Sequence, residues 1–281
     1  MTKPGAPARR PSHWSPLQSA QAERDWIDAR IAAGVTAPTL ALVRYSRPAV
    51  VYGRRGGEEP ERAARAVHEG FAVLRRRTGG GAVLVGPWML GFHVLLPVAH
   101  PVARLPVIAS MVWLGKAVST ALALSRVANA LVDPRDIEPL RRKAADASLD
   151  WACYAAASHG ELLDEDGRKL VGLSQCRGAW GILLSGGLLI GQAPWESLEY
   201  VHVGCRPAQS PLRCMASPGI ESVAPGVVLP DLYARLATCV EIALDAAPEA
   251  GVARQRGSDG CAAGEGVAGL RGGSAPATVR T

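Results

Sequence analysis

Arg75-Arg76-Arg77-Thr78-Gly79-Gly80-Gly81-Ala82-Val83 joins two apolar segments, Phe71 to Arg75 and Ala82 to Val85, that both read as strands. Three successive glycines let a backbone come close to a ligand and turn its N–H groups inward as anion donors. The adjacent guanidiniums add fixed charge for a carboxylate, a phosphate or a pantetheine group. A plain Gly-rich hairpin with surface arginines is the bland alternative. Working outward, an amphipathic helix runs from Ser19 to about Ala33, with Ala22, Trp26, Ala29 and Ala33 on one face and Gly34 as the stop. Thr39 to Tyr45, Ala49 to Tyr52 and Leu90 to Leu96 read as strands, and Glu58 to Glu69 as a charged surface helix. Val107, Met111, Leu114, Val118 and Ala121 recur at helical spacing, which predicts a core helix.

The second informative stretch is Gly167-Arg168-Lys169-Leu170-Val171-Gly172-Leu173-Ser174-Gln175. A lysine leading a strand out of a tight turn is ordinarily solvent-facing. Here Gly172 leaves room for a ligand, and Ser174 and Gln175 offer hydrogen-bonding groups. One segment earlier, Trp151 to Tyr154 reads as a strand carrying Cys153. A lone strand cysteine is ordinarily inert core. An antiparallel hairpin would nevertheless set Cys153 close to Lys169, and a neighbouring ammonium makes a thiol a usable nucleophile. The expected β-meander continues through Glu161 to Leu163, Lys169 to Gly172, Gly178 to Leu184 and Leu188 to Ile190, with Ser185-Gly186-Gly187 as a turn. Pro230 opens a last amphipathic helix reaching about Asp245.

The chain has 281 residues, of which 48% are hydrophobic and 20% charged, so it carries enough apolar material for a core and is not disordered throughout. A net charge of +6 favours an acidic partner, yet no zinc-ligand spacing or aromatic-studded basic strand points to nucleic acid. Six cysteines without a CxxC pair look like the thiols of a reduced cytoplasmic protein, not a disulfide framework or a metal site. The apolar runs Leu90 to Pro97 and Val107 to Leu124 are too short, or too interrupted by Lys116 and hydroxyls, to read as membrane spans. Residues 1–12 read as a flexible arm, residues 13–247 as one domain, and residues 248–281 as a disordered Gly-, Ala- and Arg-rich tail.

These stretches resemble the lipoate-protein ligase and octanoyltransferase family, whose catalytic domain is similar to that of biotin protein ligases. Its loop of the form R-R-x-[ST]-G-G-[GR]-A-V is matched by Arg75, Arg76, Thr78, Gly79, Gly80, Gly81, Ala82 and Val83. Its strand of the form G-[KR]-K-[ILV]-x-G-[SN]-[AS]-Q is matched by Gly167 through Gln175, apart from Leu173 at the [SN] position. The resemblance runs from about Trp14 to about Asp245 and implies a single α/β domain of the α+β type, with a mixed, largely antiparallel sheet flanked by helices. It implies a pocket for a medium-chain acyl group lined by the glycine loop, with Lys169 binding the acyl carbonyl. Ala152-Cys153-Tyr154, followed by Ser158, is similar to the nucleophile segment of cysteine-dependent octanoyltransferases. The implied activity is transfer of an octanoyl or lipoyl group from acyl carrier protein to a lysine of a lipoyl domain or a glycine-cleavage H-type protein. The resemblance implies that the acyl group would travel on Cys153, with no cofactor required and the chain a monomer.

Three departures qualify the match. Val85-Gly86-Pro87-Trp88 and Ser185-Gly186 stand where most members have histidine-containing segments, leaving His93 and His159 as the nearby imidazoles. Cys205 is a distant second candidate for the nucleophile. Nothing after Asp245 looks able to fold into the accessory domain of the larger ligases. The alternatives are an ATP- and Mg-dependent lipoate ligase and a non-catalytic paralogue that binds an acyl ligand or carrier. The Gly53-Arg54-Arg55-Gly56 register does not fit biotin ligation.

Overall fold

The computed structural model describes residues 17–54, 56 and 59–246, so the expected arm over residues 1–12 and tail over residues 248–281 lie outside the described residues. The first half contains α1 (Ala20–Ala32), β1 (Thr39–Arg44), β2 (Ala49–Tyr52), α2 (Pro60–His68), β3 (Ala72–Arg75), β4 (Val83–Val85), β5 (Met89–Leu96) and α3 (Val107–Leu124). The second half contains β6 (Ala130–Leu131), α4 (Ile137–Asp146), β7 (Leu162–Leu163), β8 (Lys169–Gly178), β9 (Gly181–Leu189), α5 (Trp195–Val203), α6 (Ile220–Val223) and α7 (Leu229–Asp245).

The expected mixed, largely antiparallel arrangement is present as two sheets. A six-stranded sheet, β1-β5-β9-β8-β7-β6, is antiparallel throughout. In the three-stranded sheet β3-β2-β4, β2 and β3 run parallel. β5 lies between two neighbours and is buried at all eight positions, which is why Met89 to Leu96 is a nearly unbroken apolar run. α3 is long and apolar enough to cross a membrane, but eight of its residues are buried and it packs against α7 and β8 as a core helix.

Ser19 caps α1 by accepting a hydrogen bond from the Ala22 N–H, and Gly34 stops it at a φ of +83°. The inward face differs from the expected one. Ala29 and Ala33 are exposed, while Ala20, Glu23 and Ile27 point in. That stripe has the correct helical period, and a carboxylate in its middle masks it.

The meander is also rearranged. Residues 151–154 are not a strand; they make turns and a single parallel bridge between Ala82 and Ala152. β8 does not end at Gly172 but continues to Gly178, where Ala179-Trp180 turn the chain into β9. Ser185-Gly186-Gly187 is not a turn and lies in the middle of β9. Glycine is needed there because other elements come close. A Cβ on Gly186 would sit 2.1 Å from the Phe92 ring, and one on Gly187 would sit 2.9 Å from both the Met89 sulfur and the Tyr154 hydroxyl.

Gly186→Ala is therefore expected to destabilise the protein by about 1–3 kcal/mol through overpacking. Urea denaturation should show that loss, and Phe92→Leu in the same chain should recover part of it. A neutral Gly186→Ala would mean that the sheet accommodates the methyl group.

Candidate active site

Three strands of the large sheet make the floor. Their registers align Gly91, Gly187 and Gly172 in one row across β5, β9 and β8, and His93, Ser185 and Ser174 in the next. Because alternate residues of a strand share a face, the glycine row is a trough beside a polar row. The Tyr154 hydroxyl closes over the trough and donates to the Gly187 carbonyl at 2.6 Å, while the Tyr45 hydroxyl lies over Gly91. The resulting cavity, about 60 Å³, is lined by residues including Arg76, Cys153, Gly172, Ser174, Ser185 and Gly187. A second cavity, about 40 Å³, shares Glu23, Val51, Arg76 and Ser185 with it and is also lined by Arg75, Arg77 and Thr78.

The glycine loop is held mostly by its own contacts. Arg76 folds back, donating to the Gly79 carbonyl at 3.1 and 2.8 Å and to the Gly81 carbonyl at 3.0 Å. Gly80 has a φ of +96°, and a Cβ on Gly81 would meet the Trp151 carbonyl oxygen at 2.1 Å. Only Gly79 has open space around its missing side chain. Thr78 is buried and accepts a hydrogen bond from the Ser174 hydroxyl at 2.9 Å, tying the loop to β8. Ala82 accepts from the Cys153 N–H at 2.8 Å and donates to the Trp151 carbonyl at 2.8 Å. Gln175 does not line either cavity; its amide donates to the Val107 carbonyl at the start of α3.

Lys169, which the resemblance sets against the acyl carbonyl, is not the solvent-facing residue ordinary at the start of a strand. It is 4% exposed and forms an ion pair at 2.8 Å with Glu161, itself 3% exposed. Its other donors go to the Cys153 carbonyl at 2.7 Å and the Ala156 carbonyl at 2.9 Å. Burial pushes the Glu161 carboxyl up against the pull of Lys169 and of the Leu173 and Ser158 amides. Lys169 therefore meets Cys153 through its backbone, not its thiol, and does not line the cavity. The cation facing the thiol is Arg76, whose Nη2 lies 3.9 Å from Cys153 Sγ. Cys205 is exposed and lies outside both cavities.

Sequence reading missed four polar groups of the cavity wall as a set. Glu23 Oε2 accepts from the Tyr45 hydroxyl at 2.7 Å, and Oε1 lies 3.1 Å from His93 Nε2, a close contact but off line for a hydrogen bond. His93 Nδ1 is 2.9 Å from Ser185 Oγ. Burial works to raise the Glu23 carboxyl, but His93, Tyr45 and Arg76 outweigh it and hold it below the usual carboxylate range. Burial and Glu23 push the Tyr45 phenol well above its ordinary value. The available signal was Glu23 on the Ala20-Ile27 stripe, because a charged residue is rarely placed on a buried face without a partner.

Behind the cysteine segment, Trp151 stacks on His202 of α5 with ring centroids 3.7 Å apart. Burial first, then Arg62 and Arg65, hold His202 down to about 4.

The model of the lipoyl protein ligase A/B catalytic domain matches residues 17–202. No curated protein matches the chain. Among solved structures, a Thermoplasma acidophilum protein with bound lipoic acid aligns with a TM-score of 0.60 at 14% identity, over 83% of this chain and 86% of its own. A lipoate-protein ligase A bound with ATP aligns with a TM-score of 0.60 at 15% identity, over the same shares. The bi-partite lipoate protein ligase of the T. acidophilum lipoylation system, studied with its E2 lipoyl domain, aligns at 0.59 and 14% identity, over 83% and 85%. At these identities the likeness is one of fold.

Two outcomes follow from the buried groups. Lys169→Ala leaves the Glu161 charge buried without its partner and is expected to cost about 3–5 kcal/mol. Lys169→Met combined with Glu161→Leu should recover most of it in urea melts, and a single-variant loss below about 1 kcal/mol would place the pair with ordinary surface pairs. For His202, the unfolded chain at its ordinary value of 6.5 takes a proton that the folded protein refuses until about pH 4. Its stabilising effect is thus complete above pH 6.5 and is lost as pH falls toward 4. Tm should decline across that range, and His202→Phe, which keeps a ring against Trp151, should flatten the decline.

Proposed function

Because the chain belongs to the lipoyl protein ligase A/B catalytic domain family, and is therefore an acyl-transferring or ligase enzyme, we propose that it works through an acyl-enzyme on Cys153. It passes an octanoyl or lipoyl group from acyl carrier protein to a lysine of a lipoyl domain or glycine-cleavage H-type protein. The observation that carries this reading is the Cys153 thiol on the wall of the glycine-floored cavity with the Arg76 guanidinium facing it at 3.9 Å. The free thiols among the described residues suit a reducing cytoplasm, and the lipoyl domain studied with the T. acidophilum ligase suits the choice of acceptor.

In the first step Cys153 Sγ bonds to the thioester carbonyl carbon, the donor's C–S bond breaks, and the Cys153 proton leaves with the donor thiol. Charge developing on the carbonyl oxygen meets Arg76, which the Gly79 and Gly81 carbonyls hold in place before the substrate arrives. In the second step the carrier lysine amine attacks the acyl carbon, the bond from that carbon to Cys153 Sγ breaks as the amide forms, and the proton lost by the amine returns to Sγ. Lys169 acts here as a positioning residue that pins the backbone of Cys153. Benzene already fills an apolar cavity of about 150 Å³, so an octanoyl chain needs more room than either cavity has, and the two would have to join where they share Glu23, Val51, Arg76 and Ser185.

The competing ATP-dependent reading puts an acyl-adenylate beside Arg75, Arg77 and Thr78 in the second cavity. Intact-mass analysis separates the two. Octanoyl-carrier protein without ATP is expected to leave a hydroxylamine-labile octanoyl adduct on Cys153, absent from Cys153→Ser and kept in Cys205→Ser. Modification of a carrier lysine only from free acid plus ATP, with no acylated cysteine, would make the protein a ligase. No modification under either condition would make it a binding protein.

A further inference from the structure

Ser185, His93 and Glu23 stand in the order of a nucleophile, its base and the group that orients the base. Ser185 Oγ is 2.9 Å from His93 Nδ1, and the far ring nitrogen is 3.1 Å from Glu23 Oε1. A carboxylate 3.1 Å from Nε2, though off line for a hydrogen bond, favours through its charge the tautomer with the proton on that nitrogen. Nδ1 is then left with its lone pair toward Ser185, and the serine proton is committed to the ring. The lone pairs of Oγ remain for an electrophile. Tyr45 fixes the other carboxylate oxygen at 2.7 Å, so Glu23 cannot swing away without breaking a second buried contact.

The placement argues against a cluster that merely fills space. Ser185 lines both cavities, and His93 lines the one that holds Cys153. Burying a carboxylate, an imidazole, a phenol and a hydroxyl in a sheet face is costly compared with an apolar row of the same shape. The three groups come from α1, β5 and β9, so no local turn geometry accounts for their meeting. Arg76 borders both cavities and supplies a cation near any oxyanion formed beside Ser185.

We propose that Ser185 is a second nucleophile of this pocket, with His93 as its general base and Glu23 as the residue positioning His93, and that it gives the protein an esterase and thioesterase activity toward medium-chain acyl groups. In the acylation step the Ser185 Oγ–acyl carbon bond forms and the carbon–sulfur or carbon–oxygen bond of the donor breaks. The hydroxyl proton passes to His93 Nδ1 and on to the leaving group. Water then attacks the O-acyl serine, His93 takes and returns its proton, and the free acid leaves with Ser185 restored. No electrons are exchanged with a redox partner.

The inference rests on the acyl-pocket reading above, and the test separates the two. The full chain is treated with p-nitrophenyl octanoate without ATP, following nitrophenol release and mapping the adduct by mass, while acylation of a lipoyl carrier is assayed separately. In Cys153→Ala, the adduct is expected on Ser185 and should survive neutral hydroxylamine, as an oxygen ester does. Ser185→Ala should lose it, and His93→Gln should slow its formation by about a hundredfold or more. Ser185→Cys should restore acylation at that position in a hydroxylamine-labile form, an outcome that a purely structural serine would not give. Acylation confined to Cys153, with ester turnover unchanged in Ser185→Ala, would overturn the proposal while leaving the transfer reading intact. A Ser185 adduct with no carrier modification would uphold it and remove the transfer reading.

Discussion

The buried Lys169 side chain ties separate parts of the chain together. Its ammonium is held by Glu161 and by the Cys153 and Ala156 carbonyls, and Glu161 in turn accepts from the Ser158 and Leu173 amides. Its own backbone bonds Met215 and Ser217. Taking both charges out of water costs several kcal/mol per ion, and the attraction offsets that only where the remaining donors and acceptors are satisfied as well. Here the surrounding carbonyls and amides satisfy them. The pair therefore serves to define where the irregular segment from 151 to 161 lies, and that segment carries the cysteine. A chain without regular structure is kept in one place by an interaction that is costly to break, not by a strand ladder.

The same arrangement explains what could be read from the amino-acid order and what could not. The Arg-Arg-x-Thr-Gly-Gly-Gly loop and the Gly-Arg-Lys strand were legible because their residue types are locally unusual, and both border the site. α3 and α7 were legible because their apolar residues recur with the helical period. Ser185-Gly186-Gly187 was misread as a turn because the reason for its glycines is Phe92, Met89 and Tyr154, all distant along the chain. The inward face of α1 was misassigned because Glu23 is acceptable there only when Tyr45 and His93 are already beside it. The pairing of Lys169 with Glu161 was hidden for the same reason. In each case the local signal was overruled by a partner that only tertiary packing supplies.

Arg76 illustrates a division of labour within one side chain. Its hydrogen bonds to the Gly79 and Gly81 carbonyls fix the plane of the guanidinium. A flexible surface arginine would have to give up rotamer entropy when a ligand arrives. This one is already ordered, so the charge it offers to the cavity carries little further entropic penalty.

The Ala82 bridge has a mechanical consequence. Cys153 donates its N–H to Ala82, and Ala82 donates to Trp151, so the end of the glycine loop and the cysteine segment are stitched together over a few ångströms. Any displacement of the loop is transmitted to the thiol without a slack linker between them. Loop posture and sulfur posture are then one coordinate, not two. A ligand that seats the loop would by the same movement set the direction of the sulfur.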